Sequence, residues 1–452
     1  MNVRRLLVTI CSLALAACSQ MQSAIPQRPG APSAGVKSVT RLSGQHIKHV
    51  IIVIQENRSF ESFFAGYPGA NAPLTGYGID GKGKRYLIPL QQIEFAQSSN
   101  LSHAWSAGIR DWNNGAMDGF SRFGKPGAHQ AYSYVDEKQV APYWDMAQQY
   151  VLADEMFPTE FGPSYSAHLT LIAGTDNLGP NEAVADFPSF GDQGCDSNPA
   201  SHTTFVDQYR IIHWRIGPYP CYTQFRTLAD TLDAAHLSWT YYQNKLYKSG
   251  IWAPFESMSR VRFGPDYVND MRYPPPSVLN DIKAGKLAAV TWVTPTKEDS
   301  DHPGGGSDRG PSWVGAVVNA IGQSKFWDSS AIVVVWDDWG GQYDNMPPPQ
   351  LDFRGLGIRV PCLIVSPYAK KNYVSHTLYE WGSILKFVEQ VYGLPALGTA
   401  QDGYSDARAN SIIDSFDFNQ SPRPFVTIQT KYKARDFKSE PPWAINQAVD
   451  EE

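Results

Sequence analysis

Charge is scarce in this chain, and what there is shows no basic excess. Only 18% of the residues are Asp, Glu, Lys or Arg, and the formal net charge is -6. Nucleic-acid binding usually needs a basic face, so this balance argues against that class of partner. Cysteine is also rare, with five in 452 residues, and no spacing resembles a zinc module built from cysteines. After residue 18 no apolar run is long enough to cross a bilayer as a helix. No segment repeats at a fixed period, which excludes solenoid and propeller arrays.

The N-terminus is the easiest part to read. Arg4 and Arg5 precede the apolar run from Leu6 to Leu15, and Leu15-Ala16-Ala17-Cys18 follows. A short basic region, a short apolar core and small residues form a secretory signal, too short for a mature spanning helix. Leu-Ala-Ala-Cys resembles a lipobox, which implies lipidation at Cys18 and attachment to a bacterial membrane; the alternative is ordinary cleavage. Ser19 fits transfer to an outer membrane, on its periplasmic or surface side. Residues 19–44 are rich in Ser, Pro, Gly, Ala and Gln and read as a flexible tether. Export means an oxidising compartment, so Cys195 and Cys221 are expected to pair across a Gly/Pro/Asn-rich region, while Cys362 reads as a buried thiol.

Beyond the tether, β-branched runs occur at His49 to Glu56, Ala288 to Val293, Ala331 to Trp336 and Val360 to Val365. Near-continuous apolar runs of this length mark strands buried on both faces of a parallel sheet. Helical patterns lie between them, at Trp313 to Ile321 and Trp381 to Tyr392. The alternation predicts an α/β fold over residues 45–420, with large insertions near 62–145 and 176–285 and a surface extension over 421–452.

Two of these strands end in metal-ligand residue types. One runs into Gln55-Glu56-Asn57-Arg58-Ser59-Phe60-Glu61 and the other into Asp337-Asp338-Trp339-Gly340-Gly341. In an open α/β sheet, ligands bind beyond the carboxyl ends of the strands. Three carboxylates and an amide oxygen suit a hard or borderline divalent ion, and adjacent buried acids need a balancing cation. Spacing alone leaves open that the acids are exposed turn residues and that Glu56-Asn57 caps a helix.

The first of these segments resembles a signature of the bacterial phosphoesterase family, which holds non-specific phospholipases C and related acid phosphatases. Trp336 to Asp344, followed by Pro347-Pro348-Pro349, resembles a second signature of that family. His103-Ala104-Trp105, Met117-Asp118-Gly119-Phe120, Ser164 to His168, Asp301-His302-Pro303 and His376-Thr377 match further segments in order, over roughly residues 46–395. The resemblance implies an alkaline phosphatase-like three-layer α/β/α sandwich around a mostly parallel sheet. It also implies metal binding by Glu56, Asn57, Asp337 and Asp338, and Ser164 as nucleophile through a phosphoseryl intermediate. His103 and His302 would act near the phosphate, with His168 and His376 as supporting residues.

The chain departs from the family pattern in three places. Ser166-Ala167-His168 stands where Pro-Asn-Arg or Pro-Asn-His is common, which keeps Ser166 as a rival nucleophile. Glu61 replaces the usual Asp, and Asn345 stands where phospholipases C often carry His. The expected substrate is a small phosphate ester or a phospholipid head group, with a lean toward monoesters. The expected cofactor is a divalent metal ion, with Ca, Mg, Mn, Fe and Zn all open. A sulfatase-like hydrolase and a non-catalytic surface lipoprotein remain the alternatives.

Overall fold

The computed structural model of the protein describes residues 43–122, 129–189 and 193–438. The leader, Cys18, nearly all of the tether and the tail from residue 439 lie outside the described residues. Among the described residues no helix is long and apolar enough to cross a membrane.

The central sheet has nine strands. In chain order they are β1 (His49–Gln55), β2 (Val151–Phe157), β3 (Trp239–Tyr242), β4 (Met271–Arg272), β5 (Val290–Val293), β6 (Ser330–Trp336), β7 (Val360–Val365), β8 (Tyr373–Ser375) and β9 (Tyr379–Glu380). Their spatial order is β4-β3-β5-β1-β6-β7-β2-β8, and β9 also pairs with β2. Only β7 runs antiparallel to its neighbours, so the sheet is mostly parallel, as expected. The sequence grouped β7 with the strands of a parallel sheet, and its antiparallel direction corrects that reading. It follows β6 with no helical crossover, and antiparallel pairing needs none.

Helices cover both faces. The elements used below are α1 (Phe60–Phe64), α2 (Ala141–Gln149), α3 (Ser164–Ala173), α4 (Gly310–Gly322) and α5 (Trp381–Tyr392). Register assigns each helix to a face. Gln55 pairs with Trp336, and Ile52 pairs with Trp292. Gln55 and Ile52 are three residues apart on one strand, so the two tryptophans point to opposite sides. Trp336 packs on Tyr143 of α2, with ring centroids 4.9 Å apart, and α2 packs on α4. Trp292 packs on Phe255, whose short 3-10 turn lies against α3, and α3 packs on α5. The result is a three-layer α/β/α sandwich. Both tryptophans are fully buried, each contributing about 2–3 kcal/mol of apolar burial.

The stretch 176–285, expected to be an insertion, also supplies β3 and β4 at one edge of the sheet. The same stretch carries a separate four-stranded sheet between Asn177 and His213. Cys195 and Cys221 are joined by a disulfide, and Cys362 is buried in β7. Beyond Ser421 the chain lies against α4: Ile428 N–H donates to Asn319 Oδ1 at 2.9 Å, and Phe437 packs on Trp313.

Two buried acids join the layers. Asp176, just after α3, accepts from Arg354 Nη1 at 2.7 Å, while Arg354 also holds Asp352 and Gly403 O. Asp301 lies between α2 and β6 and accepts from Tyr143 Oη at 2.7 Å and Trp336 Nε1 at 2.8 Å. Burial outweighs these donors and nearby Arg58, and pushes the Asp301 carboxyl up to about 7.

Arg354→Ala leaves Asp176 buried beside no guanidinium, and is expected to cost about 3–5 kcal/mol in denaturant unfolding. Below about pH 7 Asp301 keeps its proton in the fold where its unfolded counterpart ionises near the ordinary carboxylate range, so its contribution to stability falls as pH rises toward about 7. The stability of the wild type relative to Asp301→Asn is therefore expected to drop by roughly 2–3 kcal/mol between about pH 5 and pH 8. A pH-independent difference in unfolding free energy would contradict this.

Candidate active site

Strand register dictates where the first acids meet. β1 and β6 are parallel neighbours paired from His49↔Ser330 to Gln55↔Trp336. Asp337 N–H extends that ladder by donating to Gln55 O at 3.0 Å. Glu56 and Asp337 therefore leave the sheet side by side, and both are fully buried.

Backbone donors hold the acids. Asp337 Oδ1 accepts from the N–H of Asn57 and from that of Asp338, each at 2.8 Å, which leaves Oδ2 turned elsewhere. Asp338 Oδ1 accepts from Gly340 N–H at 2.7 Å. Asn57 has φ 54°, in the left-handed region that Asn tolerates better than most residues. Gly340 passes so close that a Cβ there would lie 2.3 Å from Asn57 O, and its own φ is +60°. A glycine is required at that crossing.

Ser164 arrives from the other side of β7. β2 runs parallel to β1, so its carboxyl end reaches the same edge of the sheet, and residues 158–163 lead into α3. Ser164 is the first residue of that helix. Its Oγ donates to Asp338 Oδ2 at 3.2 Å and accepts from Asn57 Nδ2 at 3.4 Å. Asn57 Nδ2 also lies 3.0 Å from Asp338 Oδ2 and 2.9 Å from His103 Nε2. Ser166 turns away, donating to Pro163 O at 3.1 Å.

His168 is four residues after Ser164, one turn along the same helix face. Its Nε2 is 3.1 Å from Glu56 Oε1 and 3.7 Å from Asp337 Oδ2. Ligand atoms of Glu56, His168 and Asp337 all lie within 4.8 Å of one another, and the three side chains are buried.

The remaining histidines divide. His103 Nδ1 sits 2.7 Å from Leu101 O and His302 Nδ1 sits 2.8 Å from Pro303 O, so each ring donates there, and His103 Nε2 accepts from Asn57 Nδ2. Their ring centroids are 6.0 Å apart. His376 stands apart from this group: it is mostly exposed, and its Nδ1 is 2.8 Å from Asp154 Oδ1.

The first motif also contains scaffold residues that the sequence reading passed over. Gln55 holds the loop leading to His302 through Asp299 O and the N–H of Asp301, at 3.2 and 2.9 Å. Arg58 donates to Asp301 O at 2.8 Å and to Ser98 Oγ at 2.7 Å. It is enclosed by the rings of Phe63 and Phe95, and burial lowers its pKa to about 10. Ser59 caps α1 by accepting from Ser62 N–H and donates to Tyr343 O, joining the two acidic loops.

The donor set fits a divalent cation. Glu56, Asp337 and Asp338 are fully buried, and no hydrogen bond reaches the buried atoms Asn57 Oδ1 and Asp337 Oδ2. Leaving such oxygens without a partner is costly, and a cation would satisfy them.

The family model described as the Phosphoesterase family matches residues 47–395. Phospholipase C B of Mycobacterium tuberculosis is 24% identical over 84% of this chain and 79% of its own length. The non-hemolytic phospholipase C of Pseudomonas aeruginosa is 23% identical over 84% of this chain and 59% of that protein. Among solved structures, an alkaline phosphatase superfamily protein from Vibrio parahaemolyticus covers 84% of this chain and 79% of its own, at 11% identity and TM-score 0.39. With its family model spanning most of the folded region, this chain belongs to the phosphoesterase family and is a hydrolase of phosphoric esters.

Proposed function

We propose that the protein hydrolyses phosphoric esters through Ser164, with a divalent ion held by Glu56, Asn57, Asp337 and Asp338. The observation that carries this reading is the hydrogen bond from Ser164 Oγ to Asp338 Oδ2, made at the N-terminus of a ten-residue helix. A helix N-terminus favours phosphate oxygens, so the serine and an anionic substrate share one location.

Ser164 Oγ forms a bond to phosphorus as the bond to the leaving oxygen breaks. The hydroxyl proton passes along the existing hydrogen bond to Asp338 Oδ2. The leaving oxygen takes a proton from the imidazolium of His302, while His103 helps to orient Asn57. Water then attacks the phosphoserine and gives a proton back to that imidazole, while Ser164 regains its own from Asp338. The bound ion would supply positive charge against the serine oxygen and the phosphoryl oxygens.

The relatives' names favour phosphodiesters of the phospholipid type, against the slight lean to monoesters drawn from sequence, and both classes stay within the reading. Lipidation of Cys18 would place the enzyme on the membrane that holds such substrates.

Ser164→Ala is expected to lower turnover by at least about 10³-fold with bound metal unchanged. Wild-type-like turnover would assign the nucleophile elsewhere. Chelation should abolish release from p-nitrophenyl phosphorylcholine and p-nitrophenyl phosphate alike, and metal add-back should restore it. Faster release from the phosphorylcholine ester would identify a diesterase. Activity that survives exhaustive chelation would exclude the metal-dependent reading.

A further inference from the structure

The expected ligand set contains only oxygen donors, yet an imidazole lies among them. His168 reaches Glu56 Oε1 at 3.1 Å and Asp337 Oδ2 at 3.7 Å, with all three side chains fully buried. The three ligand atoms fall within 4.8 Å of one another, so that they can converge on one ion with a small side-chain adjustment. The oxygen that Asp337 turns toward His168 is the one not occupied by backbone donors.

Helix geometry makes this placement a consequence of Ser164. Residues four apart share a face, so once α3 delivers Ser164 to Asp338, residue 168 must project over the neighbouring acids. A side chain with no donor atom there would leave the Glu56–Asp337 pair without that nitrogen.

We propose that His168 is a ligand of the bound cation and selects its class. A nitrogen donor beside two carboxylates favours zinc, iron, cobalt or manganese over calcium and magnesium, which prefer an all-oxygen shell. This inference rests on the reading that Glu56 and Asp337 hold a divalent ion. The competing arrangement is a permanent imidazolium that balances the acids by itself. In that case the ion binds elsewhere and His168 has no effect on its identity.

The full chain, stripped with chelator, is titrated with Co²⁺, Zn²⁺ and Ca²⁺ while bound metal and the visible Co²⁺ spectrum are recorded. The wild type is expected to bind Zn²⁺ and Co²⁺ at least about 100-fold more tightly than Ca²⁺. His168→Asn should lose at least about tenfold in Co²⁺ and Zn²⁺ affinity, shift the cobalt bands, and leave Ca²⁺ affinity within about twofold. Unchanged cobalt affinity and spectrum in His168→Asn would overturn the inference while leaving metal dependence standing. X-ray absorption of the zinc-loaded wild type provides a test that needs no variant, because absence of imidazole scattering overturns the inference by itself. No divalent binding by the wild type, or full binding retained by Glu56→Gln, would overturn the metal reading as well.

Discussion

The parallel pairing of β1 with β6 is the constraint on which the rest of the site depends. Its register runs unbroken to Gln55↔Trp336, so the next residue on each strand is an acid, and the two acids emerge in adjacent lanes. A slip of one residue would turn each strand's buried side chains to the opposite face and separate Glu56 from Asp337. The buried β-branched cores of both strands hold the register. The same residues that make the sheet stable therefore also place the carboxylates.

Burying three carboxylates together is unfavourable, and the fold offsets the cost with backbone donors. Asp337 Oδ1 and Asp338 Oδ1 are occupied by amide N–H groups, which orient each carboxylate and turn the second oxygen inward. The strained turn at Asn57 and the glycine at 340 follow from this, since both bring backbone amides close to acids. Gln55 and Arg58 extend the same logic outward by fixing the loop that carries His302.

The parts of this structure legible in sequence are those where one residue type serves one purpose. β1, β6 and β7 are continuous apolar runs buried on both faces, and their limits match the runs closely. β2 escaped notice because Asp154 and Glu155 interrupt its apolar pattern. Asp154 is nonetheless buried, accepting from Asn71 N–H and from His376. β3 and β4 were hidden in an aromatic-rich stretch whose composition suits a loop as well as an edge strand. Within the site, the strand ends put Glu56, Asp337 and Asp338 at one edge of the sheet, and the family resemblance added Ser164 to them, but a motif carries no direction. His168 and His376 looked equivalent in sequence, yet one faces Glu56 and the other Asp154. The spacing of four between Ser164 and His168 was the available signal, once a helix was assumed there.

The proposed site also implies an order of events. A phosphate ester is an anion, and the edge that receives it carries three buried acids. Two unit charges about 4 Å apart repel by roughly 4 kcal/mol at the effective dielectric of a protein's interior edge. The partial positive charge at the start of α3, worth about 1 kcal/mol, cannot offset several such terms. On the proposed reading, substrate would reach Ser164 only after the acids have been neutralised, and the buried oxygens at Asn57 and Asp337, which no hydrogen bond reaches, are the atoms such a charge would satisfy. Cation first, ester second is the sequence that the proposed site would impose, and it would make the ion part of the substrate-binding surface as much as of the chemistry.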